Sequence, residues 1–139
     1  MYKLTNTANI LRTADNAFIP PDTANTDYQA YLAWVEAGNA PEPADAPTPE
    51  QQIDSNKAAI QTELDRQAQL KGYDTIISAC SYAAQASGEP FQAEGAAFLK
   101  WRSDVWTQAN AVLADVQAGA RPMPTPEEAV AMLPALVLP

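Results

Sequence analysis

The stretch Asn39 to Pro49, NAPEPADAPTP, constrains this chain more than any other, because it carries prolines at 41, 43, 47 and 49. Proline fixes φ and lacks an N–H, so neither a helix nor a central strand can run through such a tract. The 139 residues therefore fall into three parts: an N-terminal module (1–39), an acidic, polyproline-like and semi-rigid spacer (40–49), and a C-terminal domain (50–139). The expected fold is mainly α, with a small N-terminal β-hairpin element, then a helical hairpin or bundle that ends in a short C-terminal helix.

Period-two alternation marks the start of the chain. Tyr2-Lys3-Leu4-Thr5 alternates, and Ile10-Leu11-Arg12-Thr13 is followed by Ala14-Asp15-Asn16-Ala17 and Phe18-Ile19. Asp-Asn is turn chemistry, since both side chains bond their own backbone and tolerate left-handed φ. This predicts a β-hairpin over 9–19, closed by Pro20-Pro21. A lone hairpin is marginal in water, so it must pack on a helix or pair with another chain's strand. A helix is expected from Thr26, with Thr26 and Gln29 at capping-box spacing and Gly38 past its end. Tyr28, Tyr31, Leu32 and Val35 form its apolar face. Trp34 lies off that stripe, either widening the face or meeting a partner.

After the spacer the period changes to that of helices. Thr48-Pro49-Glu50-Gln51 opens the first, whose sparse apolar residues Ile53, Ile60, Leu64 and Ala68 draw a narrow seam. That seam serves a neighbouring helix of the same domain or, in a homo-oligomer, a coiled-coil-like contact between copies. Past Gly72, a face of Tyr73, Ile76, Ile77, Cys80 and Ala84 is expected to be buried, with Cys80 as a small core hydrophobe. The strongest segment, Phe91 to Ala118, carries Phe98, Trp101, Val105, Ala109, Val112 and Val116 in one stripe and Leu99, Trp106 and Leu113 beside it. This wide arc belongs at the centre of a bundle. Arg102 within it is expected to lay its stem along the aromatics. Thr125-Pro126-Glu127-Glu128 opens a last short helix, and Leu136, Val137 and Leu138 form an apolar terminus that needs an anchor.

Chemistry is limited by what is missing. No histidine is present, and a single cysteine, Cys80, builds no thiolate cluster. Phosphate-loop, dinucleotide and calcium-loop motifs are absent. The expectations are accordingly no enzyme activity, no catalytic residue, no cofactor and no metal. Seventeen acids against eight scattered bases give a net charge of −9 and no basic patch, which argues against nucleic acid as a partner. No apolar run approaches the roughly 20 residues of a membrane span, and the polar opening MYKLTNTAN does not resemble a signal peptide.

Two stretches carry a resemblance. ILRTADNAFIPPDTANTDYQAYLAWVEAGNAPEPAD and FQAEGAAFLKWRSDVWTQANAVLADVQAGARPMPTPEEAVAMLPAL are similar to segments of small tail-associated proteins of tailed bacteriophages and prophages, often called tail-fibre assembly proteins. The resemblance implies a protein that contacts a tail-fibre or tail-tip protein in the host cytoplasm during assembly, as chaperone or cap. It also admits a minor virion subunit joining fibre to tail, located in the virion tail. A phage-encoded inhibitor of a host protein fits the scattered acids less well. The family implies no cofactor or catalytic residue. Ile10 and Phe18 of the hairpin, Tyr31 and Trp34 of the first helix, and Leu136, Val137 and Leu138 of the tail are the expected contact residues.

Overall fold

In the computed structural model, which describes residues 1–139, the chain forms two compact units, Met1–Thr48 and Pro49–Pro139. The alternation at the start yields a sheet larger than the expected hairpin. Strands β1 (Tyr2–Leu4), β2 (Ile10–Arg12) and β3 (Ala17–Ile19) are antiparallel in the order β1-β2-β3. The anticipated hairpin is β2–β3, with Asn16 at φ 58° in its turn. A third strand joins because Tyr2, Lys3 and Leu4 pair with Arg12, Leu11 and Ile10.

Helix α1 (Thr26–Glu36) starts on a different cap from the one expected. Asn25 is the N-cap, and its side chain accepts from the N–H groups of Asp27 and Tyr28. Asn outranks Thr in this role, and Gln29 instead donates its amide to the Thr23 carbonyl at 2.8 Å. Three aromatic residues, Tyr28, Tyr31 and Trp34, pack on the buried Tyr2, Ile10 and Ile19 of the sheet. Trp34 is therefore an inward residue, its ring 5.1 Å from Tyr2 in an edge arrangement. Leu32 and Val35, expected on the inner face, are displaced outward and exposed.

The proline tract does not stand free as a spacer. Glu42, between Pro41 and Pro43, donates its N–H to Tyr2 O at 2.9 Å and accepts from Leu4 N at 2.8 Å. It thus pairs in parallel with β1. Prolines belong at sheet edges, and the one residue between them supplies the N–H they lack. Lys3 Nζ reaches Asp45 at 2.7 Å, so the first unit runs on to Thr48 rather than stopping at residue 39.

The second unit holds α2 (Pro49–Gln69), α3 (Ile76–Ser81), a 3₁₀ turn (Tyr82–Ala84), α4 (Gln92–Gln117) and α5 (Pro126–Ala131). The α2 seam buries Asn56, Ile60, Leu64 and Ala68, while Ile53 is half-buried. Asn56 donates to the Pro124 carbonyl at 2.9 Å and so ties the segment before α5 to α2. Helix α3 begins later than the apolar spacing suggests. Thr75 and Ser78 cap each other's backbone, and Asp65 of α2 accepts the orphan N–H of Ile76 at 2.9 Å.

The core contains Ile60, Leu64, Ala68, Ile76, Ala79, Phe98, Trp101, Val105 and Ala129. Of the expected core, Ile76, Phe98, Trp101 and Val105 are buried, and Cys80, Val112 and Val116 are half-buried. Ile77 is 66% exposed, which corrects the expectation for it. A helix of six residues presents one inward face, and Ile76 with Ala79 fills it. Leu99 is likewise 48% exposed, so the inner arc of α4 is narrower than the apolar spacing implies.

Gly95 sets how closely α4 can approach α3 and the 3₁₀ turn. A Cβ there would lie 2.7 Å from Ala83 N, 2.8 Å from Tyr82 Cβ and 2.9 Å from Ala79 O. Alanine is intrinsically the better helix former by about 1 kcal/mol, yet the clash is with backbone and outweighs that gain. Gly95→Ala is expected to lower stability by about 1–3 kcal/mol in chemical denaturation; a more stable variant would contradict the packing described. Trp101 is 6% exposed and donates its indole N–H to Pro134 O at 2.7 Å. Trp101→Ala should cost about 3–5 kcal/mol, and a loss under about 1 kcal/mol would place the ring outside the core.

Candidate functional site

The register of the sheet sorts its side chains into two faces. Tyr2, Ile10 and Ile19 face α1, which leaves Lys3, Leu11 and Phe18 on the opposite face. Phe18 is 65% exposed there. Backbone geometry gives the same residue a second property. Thr13 N bonds Met1 O at 3.0 Å, so the exchanged pairs of β1–β2 are Met1–Thr13 and Lys3–Leu11. By the antiparallel alternation, Ile10 and Arg12 then bond across to Ile19 and Ala17. The N–H and C=O of Phe18 consequently point to the outer edge of β3. The other edge, along β1, is occupied by Glu42. Asn16 and Pro20 bracket β3 and keep its open edge short, as natural sheets do to limit self-association.

Charge around this sheet is one-sided. Its two bases are both engaged: Lys3 with Asp45 at 2.7 Å, and Arg12 with Asp15 at 2.8 Å and Asp27 at 2.7 Å. The Arg12 fork ties the hairpin turn to the first turn of α1. Its hydrogen bonds hold the Asp15 carboxyl below the usual carboxylate range and raise the guanidinium further. Asp22, Glu36 and Glu42 are not in any ion pair, so the unpaired charge of this unit is negative.

The expected contact residues separate into two groups. Ile10, at 7% exposure, is core, and Tyr31 and Trp34 are half-buried against Tyr2. Leu136 and Leu138 pack on the helical core of the second unit. Those five are drawn inward by their own chain. Phe18 and Val137, the latter 78% exposed, remain open to solvent. Leu4, at 39% exposure and at the end of β1 opposite Ile10, is an exposed apolar residue of the sheet that sequence reasoning did not single out.

No three or more Cys, Asp or Glu side chains gather where they could hold a metal ion. Cys80 does have a basic neighbour, Arg102, but burial pushes its thiol pKa up by more than Arg102 pulls it down. Arg102 itself is half-buried, with its Nε enclosed and unbonded. The Tyr73 hydroxyl is buried without a hydrogen bond. Burial first, then the neighbouring Glu94 carboxylate, pushes its pKa up to about 12. No helix is long and apolar enough to cross a membrane.

The Tyr73 shift has a definite sign. The folded phenol holds its proton to about 12 whereas an unfolded one releases it near 10. The associated stability is complete below pH 10 and disappears as pH rises through about 12. Tyr73→Phe should flatten the alkaline fall of the denaturation midpoint across that window, and identical slopes for the two proteins would refute it. No protein family matches this chain, and no curated protein or solved structure shows significant similarity to it.

Proposed function

We propose that this chain is a phage tail-associated protein that acts by protein–protein contact in tail-fibre assembly, as a chaperone or cap on a tail-fibre or tail-tip protein. The observation that carries this reading is Phe18, an exposed aromatic whose backbone N–H and C=O face the open edge of β3. An aromatic anchor supplies contact energy, and a free edge lets a partner's strand add beside it. The bracketing Asn16 and Pro20 restrict that contact to a short segment, which suits a grip that can be released. The tail-fibre identity of the partner comes from the resemblance read in the two long stretches of sequence. Negative unpaired charge on this unit favours a partner surface that is neutral or basic.

Phe18 is open enough that Phe18→Ser should change folding stability by no more than about 0.5 kcal/mol. The same variant should lose co-purification with a tail-fibre or tail-tip protein of the same phage and give particles lacking fibres. Full fibre assembly with Phe18→Ser would overturn the assignment. Mass spectrometry of purified virions separates the two roles within this reading. A chaperone is absent or substoichiometric, whereas a structural subunit joining fibre to tail is present in fixed proportion.

A further inference from the structure

The helical unit contains a cleft that no part of the fold fills. Ile53 and Ile60 of α2, Trp106, Val112 and Leu113 of α4, and Met132 just after α5 line it, and its mouth opens to solvent. Protein interiors close to crystal-like density, so a concavity walled by such residues needs something to hold it open. Here the walls are pinned by directional bonds. Asn56 holds Pro124 O at 2.9 Å, Thr125 and Glu128 cap each other, and the Gln108 amide donates to Met132 O. Two of the chain's three methionines, Met123 and Met132, lie on the wall. Their unbranched side chains can reshape around a guest.

Charge at the rim narrows the class of guest. Lys3, Arg12, Arg66 and Lys100 are all in ion pairs with carboxylates. Of the remaining bases, one lies on the cleft and another behind its wall. Lys57 lines it, and Arg121 places Nη2 3.2 Å from the sulfur of Met132. Neither has a carboxylate partner, in a chain with 17 acids. The Arg121 Nε is enclosed and unbonded, and a thioether is a weak acceptor, so the guanidinium keeps donors that nothing in the chain uses.

We infer that this cleft binds a small amphiphile with an aliphatic body and a carboxylate head, the body among Trp106, Val112 and Leu113 and the head at Lys57, with Arg121 behind the Met132 wall as the second base. An apolar pocket with a few polar groups that fix orientation is the usual form of a small-molecule site. An unpaired guanidinium suits a carboxylate by geometry as well as by charge. The site lies wholly within residues 49–139 and does not depend on the contact proposed for Phe18.

Titration calorimetry of the intact chain with decanoate, below its micelle threshold, tests this. Decanol and decyltrimethylammonium serve as uncharged and cationic controls with the same tail. Saturable 1:1 binding of decanoate is expected, with both controls at least about tenfold weaker, as loss of a charge-assisted hydrogen bond implies. Lys57→Gln with Arg121→Gln should weaken decanoate about tenfold and leave thermal unfolding of the free protein unchanged. Val112→Phe, which fills the cleft, should abolish binding. If that variant fails to fold, displacement of anilinonaphthalene sulfonate from the unaltered chain by decanoate reads the same site. Equal affinity for the three amphiphiles, or decanoate binding indifferent to the Lys57/Arg121 change, overturns the inference. No binding at all does so too, and would leave the cleft to an apolar side chain of a protein partner.

Discussion

The helical unit depends on the burial of one side of α4. Phe98, Trp101 and Val105 sit within two turns and are almost wholly removed from water, each stabilising the fold by about 1.5–3 kcal/mol. These three share one core with Ile60 and Leu64 of α2 and with Ile76 and Ala79 of α3. The arrangement is possible because Gly95 lets α4 come within contact distance of the Ala79 to Ala83 backbone. Trp101 extends the same contact outward, since its indole N–H holds Pro134 O and so fixes where the tail begins. Leu136 and Leu138 then reach the core from a segment with no secondary structure of its own.

Polar groups do the positioning that apolar burial leaves undecided. Exposed ion pairs contribute little energy singly, but the Arg12 fork holds two carboxylates from different elements in one geometry. Glu42 covers the β1 edge with two backbone hydrogen bonds, so the sheet has one open edge rather than two. Asn56 has the same character in the helical unit. It is a buried amide within an apolar seam, and its bond to Pro124 O sets the wall of the cleft. Its Oδ1 is enclosed without a partner, which has a cost in stability. That cost is the counterpart of a fixed connection between α2 and the segment before α5.

Much of this architecture is legible in the sequence because local rules act within one turn. Thr125-Pro126-Glu127-Glu128 opens α5 with a reciprocal cap, and Gly38, Gly72 and Gly119 take positive φ just past helix ends. The mainly helical fold with a small N-terminal sheet follows from the change of period between the first nineteen residues and the rest. The candidate contact residues were less legible. Hydropathy selects Ile10, Tyr31, Trp34, Leu136 and Leu138 along with Phe18 and Val137, and cannot say which of them the chain itself will cover.

What the sequence alone determined was the β2–β3 hairpin, the order of the helices, the starts of α2 and α5, and the apolar stripe of α4. Those depend on dihedral preferences, caps and spacing that involve neighbours three or four residues away. Only the tertiary structure decided that Glu42 pairs with Tyr2 and Leu4, that Trp34 faces in while Leu32 and Val35 face out, and that Ile77 is exposed. It alone set Lys57 on the cleft and Arg121 against its Met132 wall. Each of these depends on which surface arrives opposite a residue from far along the chain. A residue's own hydropathy and spacing state what it can bury, while the partner that packs against it determines whether it does.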